Sequence, residues 1–522
     1  MFYTFSFLSA LSSLILWFFF KKNEGLSNLF SKLFFGSIFV YAGSVLFADA
    51  TVAYKFQTAF RDCMTLGVSA VIVNTFGINK QMFVGLAAGV GMVMSLIYLP
   101  LLQQTFPEKK TAITLPAENK NTSSETIPLD QNGELLVEIK ENHQFDELKR
   151  LIQKYDLTYQ RAFNMEDPDF TDLDDYYVVN IPDYLMNDLP AIEADFYASD
   201  LVDWVEENEQ ILLSPIETIS ASRTPTPTER KYGINDPSIN QLWGFEAMEI
   251  DKLYQLLIAK KVQPRKKAKI AILDTGVDAQ HEDIKANYLT TKELYDRDMR
   301  GHGTHCAGIA AAVTNNGKGV ASFSPDGNFV EITSIKVLMD SGMGTQQTII
   351  NGMLEAADNQ ADVISMSLGG RSTRQSQRAY KKAVDYATRK GAIVVAAAGN
   401  SNSNATFFSP ANVEGLISVS AVDTLLNRAS FSNYIADLDM GIAAPGVSIY
   451  STYPNNDYKV FNGTSMATPY VAGLVGLMKS IQPTLTTEEV YDILKSTGKN
   501  TRDTEKTGKL IFPAAAVQKL LK

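Results

Sequence analysis

Polarity along the chain falls into three regimes. The first hundred residues are dominated by apolar runs. Residues 2–20 carry no charge and end at Lys21 and Lys22, a second run covers 33–48, and a third at 82–102 is uncharged and about long enough to cross a bilayer. Residues 66–78 are shorter, in the range where an interfacial or re-entrant segment is as good a reading as a span. Residues 1–102 are therefore expected to be a membrane region with three to four apolar segments. A cleaved signal peptide followed by core helices is the alternative. Several apolar runs follow the first, however, and no A-x-A-like cleavage site is evident. Lys21, Lys22 and Lys32 favour a cytoplasmic first loop. Four spans would then place the rest of the chain outside, and three would place it inside, toward which Lys109 and Lys110 pull weakly. The expectation adopted is the extracytoplasmic side.

Residues 103–131 form a polar linker with Pro107, Pro116 and Pro128. A compact region at 132–217 follows. Residues 134–140 alternate like a strand, and Phe145, Leu148, Leu151 and Ile152 share one helical face. Strands are expected at 157–163 and 176–181, a helix within 189–205, and a last strand at 210–213. That order, βαββαβ, predicts a ferredoxin-like α+β fold, or a generic α/β adaptor. A second linker at 218–231 contains Pro225 and Pro227. From 232 to 522 strand-like runs end at Asp274, near Val337, at Met366 and at Ala398, with helical stretches between them. The alternation predicts a parallel sheet with helices on both faces. Ligands in such folds bind beyond the carboxyl ends of the strands, where Asp274 and Asn400 stand.

Composition narrows the function. A chain of 522 residues is too long for one ordinary core, so about three modules are expected. The net charge of −11 argues against nucleic acid as a partner. Two cysteines, Cys63 and Cys306, lie in distant regions and allow no disulfide framework. No HExxH or paired CxxC occurs, which disfavours zinc.

Hydrolysis of a peptide bond needs a nucleophile, a base, a group that orients the base, and donors for the developing oxyanion. The sequence offers a candidate for each. Asp274 follows an apolar strand in Asp-Thr-Gly-Val-Asp and can accept the Nδ1 proton of a histidine. Asp-Thr-Gly also marks aspartic proteases, but no second triplet has suitable flanks, Asp340-Ser-Gly included. His302 lies in Gly-His-Gly-Thr-His-Cys-Ala-Gly before an apolar run, and His305 reads as structural. Ser465 lies in Asn-Gly-Thr-Ser-Met-Ala-Thr-Pro, with Pro469 fitting the first turn of a helix; a plain N-cap serine is the other reading. Asn400 ends Ala-Ala-Ala-Gly-Asn and is either an amide donor to a substrate carbonyl or a turn residue.

Together these motifs, in the order Asp, His, Asn, Ser, resemble the subtilisin-like serine proteases, the thermitase branch most closely, from about Gly233 to the C-terminus. The resemblance implies a subtilisin-like α/β fold and a triad of Asp274, His302 and Ser465 with Asn400 as oxyanion donor. It implies that Ser367, Leu368, Gly369 and Gly370 form an edge that pairs with extended protein or peptide substrate, opposite a second edge at Gly342. Ala398 and Gly399 match part of the wall of the S1 pocket. Catalysis needs no cofactor, but a structural Ca²⁺ is implied, held by Asp236 and Asp283 with the loop of Val313, Asn316, Lys318 and Val320. Cys306 matches members with a thiol beside the histidine. The βαββαβ region resembles the family's inhibitory propeptide, with residues 216–230 as its tail and self-cleavage site. Tyr470 departs from the family's usual histidine after Thr-Pro, and the membrane region is not typical of the family. The expected protein is thus a serine endopeptidase made as a zymogen and held in lipid, or else a catalytically silent receptor or regulatory module with a protease fold.

Overall fold

The computed structural model describes a few positions between residues 10 and 20, residues 23–46, and residues 133–213, 231–372 and 377–522. The chain divides into two compact units, Met1–Ser124 and Glu125–Lys522. The first contains the helix α1 (Glu24–Leu46). Among the described residues no helix is long and apolar enough to cross a membrane. The apolar runs at 66–78 and 82–102 and the linkers at 103–131 and 219–230 lie outside the described residues.

The second unit opens with β1 (Leu135–Ile139), α2 (Lys149–Tyr155), β2 (Thr158–Arg161), β3 (Tyr176–Asn180), α3 (Leu189–Tyr197) and β4 (Val202–Glu207). The four strands form an antiparallel sheet in the order β2-β3-β1-β4. The last strand of this sheet is 202–207, not the expected 210–213. Val202 and Val205 turn into the module's core there, while β5 (Gln210–Leu212) leaves the sheet altogether. β1 is buried throughout because both its faces are covered. Leu135, Val137 and Ile139 pack beneath the module's own helices, whereas Leu136 joins a core shared with the following domain.

That domain is built on six parallel strands. They are β6 (Ala268–Asp274), β7 (Val330–Lys336), β9 (Val363–Met366), β10 (Ile393–Ala397), β11 (Ile417–Val422) and β12 (Gly441–Pro445), with the short β8 (Met343–Thr345) set apart. Their order is β12-β11-β10-β9-β6-β7. The sequence pattern located the first four strands, but β11 and β12 were not read from it. Strand order reverses at β6, which places a crevice outside the ends of β6 and β9. Residues along β6 alternate between two cores. Ile270 and Ile272 share a cluster with α4 (Ile250–Ala259), α5 (His302–Ala311) and α8 (Thr464–Ile481). Ala271 and Leu273 share one with α6 (Gln346–Asp358) and α7 (Arg378–Arg389). With helices on both faces, the strands are apolar runs rather than alternating ones.

All eighteen residues of α8 are buried, and it crosses α5 closely. A Cβ added at Gly473 would lie 2.6 Å from the Ala310 carbonyl oxygen. Alanine would gain up to about 1 kcal/mol in helix propensity. Overpacking against backbone costs about 1–3 kcal/mol. Gly473→Ala should therefore destabilise by roughly 1–2 kcal/mol on balance. A thermal melt in a Ser465→Ala background, which removes self-digestion, should show a lower midpoint; an unchanged midpoint would mean the two helices can part freely.

Candidate active site

The expected residues come together at the carboxyl ends of the strands. Asp274 is the last residue of β6 and is fully buried. Its Oδ1 accepts the Thr275 N–H at 2.8 Å. The Nδ1 of His302, the first residue of α5, lies 2.8 and 2.9 Å from the two Asp274 carboxylate oxygens. Burial alone would lower the pKa of His302, but the Asp274 charge outweighs it and raises that pKa well above the ordinary imidazole value.

Asp298, which the sequence reading missed, fixes where that helix begins. Its Oδ1 accepts the Gly301 N–H at 2.8 Å and its Oδ2 accepts the Thr304 N–H at 2.8 Å. Gly301, at φ 86°, lets the chain turn into the helix. The available signal was an acidic residue just ahead of a glycine-started helix.

Ser465 sits in the first turn of α8, after Gly463. The expectation that Pro469 opens this helix is corrected: it lies in the second turn, inside the helix. Proline has no N–H to give to the residue four before it, and that residue is Ser465. The Ser465 carbonyl instead accepts the Ser367 hydroxyl at 2.7 Å and the Cys306 thiol at 3.5 Å. In return the Ser465 hydroxyl donates to the Ser367 carbonyl at 2.9 Å. The nucleophile candidate is thus held by Ser367 and by Cys306, whose Sγ lies 4.0 Å from His302 Nδ1, with its hydroxyl on Ser367.

Asn400 follows β10. Its Oδ1 accepts both the N–H and the hydroxyl of Thr464, each at 2.9 Å. With the oxygen end held, the NH₂ is the end left to meet another acceptor. Ala398 is buried, with its carbonyl accepting the Asn433 amide at 2.8 Å. Gly399 sits at φ 100° over the same Asn433.

β5 lies between the two expected substrate edges. It pairs antiparallel with β8 in the register Gln210↔Thr345, Ile211↔Gly344, Leu212↔Met343. The Leu213 N–H donates to the Gly342 carbonyl at 3.0 Å. On the other side, a Cβ at Gly370 would meet Ile211 Cδ1 at 2.7 Å. Ser367 and Leu368 are buried, while Gly369 and Gly370 are half-buried. Residues 210–213 are seated between the edges, and the expected tail at 216–230 lies outside the described residues.

The subtilase family profile matches residues 265–510. Subtilisin DY of Bacillus licheniformis is 46% identical over 275 residues, covering 50% of this chain and 97% of that protein. Thermitase of Thermoactinomyces vulgaris is 46% identical over 218 residues, covering 41% of this chain and 75% of that one. A protease structure from Pseudoalteromonas arctica aligns with a TM-score of 0.48 at 30% identity, covering 55% of this chain and 99% of that chain. The chain belongs to the subtilase family. It is a subtilisin-like serine endopeptidase, acting on protein substrates without a cofactor for catalysis.

In this subtilase the residues expected to hold calcium also converge. Asp236 accepts the N–H groups of Asn315 and Asn316 at 2.7 and 3.1 Å. Asp283 accepts the Asn316 side-chain amide at 2.8 Å and the Val320 N–H at 2.7 Å. The Val313 N–H donates to the Asp283 carbonyl at 2.9 Å, and the Lys318 N–H donates to the Asn316 side-chain oxygen at 2.7 Å. Burial pushes Asp236 up to about 6 and Asp283 up to about 7. Lys318 pairs with Glu282 at 3.2 Å. Asp236 and Asp283 are two converging carboxylates whose charge burial disfavours, and carboxylate oxygens are the hard ligands that Ca²⁺ takes, so these residues fit Ca²⁺.

His305 and Cys306 are structural neighbours. His305 stacks on Phe461 at 4.3 Å, its Nε2 is 3.0 Å from the Lys459 carbonyl, and burial lowers it to about 3, which keeps it neutral. Burial raises the Cys306 thiol, which keeps it protonated and unsuited to nucleophilic attack.

A base must be neutral to take a proton. Because Asp274 raises His302, kcat/KM should fall with decreasing pH from a point above 6.5, the ordinary imidazole value. Asp274→Asn should lower kcat by roughly 10⁴ and move that acid limb to lower pH. An unmoved limb in a pH–rate profile would show that another group sets it.

Proposed function

We propose that the chain is a membrane-anchored zymogen whose catalytic domain stands on the extracytoplasmic side. Residues 1–102 hold it in lipid, residues 132–217 act as its own inhibitor, and cleavage within 218–231 releases the catalytic domain 232–522. The observation that carries the catalytic reading is the Asp274–His302 pair joined through Cys306 to Ser465 in the first turn of α8.

The chemistry follows from these positions. The Ser465 hydroxyl turns from Ser367 toward the free side of the His302 ring and attacks the scissile carbonyl. His302 takes the proton and later gives it to the leaving amine, while Asp274 holds the tautomer and stabilises the imidazolium. The Asn400 NH₂, aimed by Thr464, meets the oxyanion with the positive end of α8; losing one such donor costs roughly 10²–10³ in kcat. Extended substrate adds as a strand between Gly342 and Ser367–Gly370, as β5 does in cis, with Ala398 and Gly399 along the wall of the pocket.

Support for the inhibitor reading comes from the contacts of the N-terminal module. Its sheet covers α6 and α7, and β5 fills the cleft. Glu138 accepts from Lys382 at 2.6 Å and from Arg378 Nη2 at 3.3 Å. Glu206 accepts the Ala379 N–H at the start of α7 and is pushed up to about 8 by burial.

Expression of the wild type beside Ser465→Ala, followed by intact mass, tests the zymogen. Cleavage within 218–231 is expected only in the wild type, and equal cleavage of both would assign processing to another protease.

Asp236, Asp283, the Asn316 amide and the carbonyls of Val313, Lys318 and Val320 would hold Ca²⁺, which supplies charge neutralisation and rigidity rather than catalysis. Chelation with EGTA should lower the melting temperature of the wild type by several degrees, and Asp283→Asn should remove that dependence. A midpoint indifferent to both EGTA and added Ca²⁺ would refute the site.

A further inference from the structure

Arg300 stands two residues before His302, where the sequence motifs drew no attention to it. Its backbone is fixed on both sides: the N–H donates to Asp298 Oδ1 at 3.1 Å, and the carbonyl accepts the Tyr453 hydroxyl at 3.3 Å. The guanidinium reaches across to the far edge of the cleft. Its Nη1 donates to the Ser341 carbonyl at 2.6 Å, and its Nη2 donates to the Leu213 carbonyl at 3.3 Å. The fork therefore bridges the rim of the cleft and the main chain of the strand seated in it.

The rim is shaped to let the fork lie there. A Cβ on Gly342 would come within 2.8 Å of the guanidinium carbon. Gly342 also sits at φ 84° and accepts the Leu213 N–H. One residue of the bound strand is thus gripped at both ends of its backbone, its N–H by Gly342 and its carbonyl by Arg300. The side chain of Leu213 is buried among apolar neighbours and takes no part in the grip.

We propose that Arg300 is a substrate-positioning residue that donates to a main-chain carbonyl of the bound peptide. This rests on reading β5 as a stand-in for extended substrate. A contact to a carbonyl is indifferent to side-chain identity, so it adds affinity for any extended chain. A hydrogen bond from a charged donor strengthens binding roughly tenfold to a hundredfold when buried. Arg300 is half-buried, so the expected effect is nearer the lower limit, roughly tenfold in binding. The rigid planar fork matters, because a lysine ammonium cannot span two carbonyls in this way.

Two readouts, one on the unprocessed chain and one on the processed enzyme, separate this proposal from the reading beneath it. Hydrogen exchange at Leu213 is compared in Ser465→Ala and in Ser465→Ala with Arg300→Ala. Kinetics on a peptide 4-nitroanilide compare the processed wild type with Arg300→Ala and Arg300→Lys. Removing Arg300 should speed exchange at Leu213 roughly tenfold and raise KM by about as much, with kcat within about twofold, since the contact is made before and during the reaction alike. Arg300→Lys keeps the charge and the stem and guards against misfolding; it too should raise KM. Protection at Leu213 with neither exchange nor KM changed by either variant overturns the proposal. Free exchange at Leu213 in Ser465→Ala itself refutes β5 as the cleft occupant; KM then decides, a rise at constant kcat upholding Arg300 and an unchanged value refuting it.

Discussion

The site depends on a carboxylate that water does not reach. Asp274 ends a strand covered on both faces and has no solvent contact. A charge so placed must be matched by nearby donors. Thr275 and His302 supply them. That need orients the imidazole and raises its pKa, and it also explains the effort spent on the start of α5. Asp298 ties Gly301 and Thr304, and Gly303 allows the helix to approach Asp274. A Cβ at Gly303 would meet the Gly276 carbonyl at 2.1 Å.

A second constraint is the proline in α8. A helix that carries a serine in its first turn would ordinarily consume that serine's carbonyl in its own ladder. Pro469 removes the donor, and Ser367 and Cys306 take the carbonyl instead. The serine is thereby tied to the end of β9 and to α5, which carries His302. One missing N–H links three elements that are far apart in sequence.

The N-terminal module and the catalytic domain share a core, not merely a surface. Leu136, Tyr176 and Val178 pack with Ile349, Met353 and Tyr380. Around this apolar centre, acidic groups of the module meet basic groups of α7 and its surroundings. Lys390 pairs with Asp167 and with Asp358 at 3.1 Å, and the Arg389 guanidinium donates to the Phe170 carbonyl at 2.6 Å. Buried apolar contact supplies the bulk of such an association, while the charges set its register.

Sequence alone determined the local chemistry. The glycine-flanked histidine, the aspartate at a strand end, and the serine before a long apolar helix were legible because backbone turns and buried strands demand particular residue types at fixed offsets. Four of the six sheet strands and the module's element order were legible for the same reason. β11 and β12 were not, since short runs such as Gly441–Pro445 carry too little periodicity to stand apart from loops. Only the tertiary structure placed Pro469 within the helix, because a helix start is decided by which donors the surroundings satisfy. It also seated Gln210–Leu213 beside Met343–Thr345 and brought Arg300 and Asp298 to the site. Those assignments rest on pairings between residues from 6 to 135 positions apart. Pairing at such separations depends on how the sheet and helices pack, which no local pattern of residues encodes.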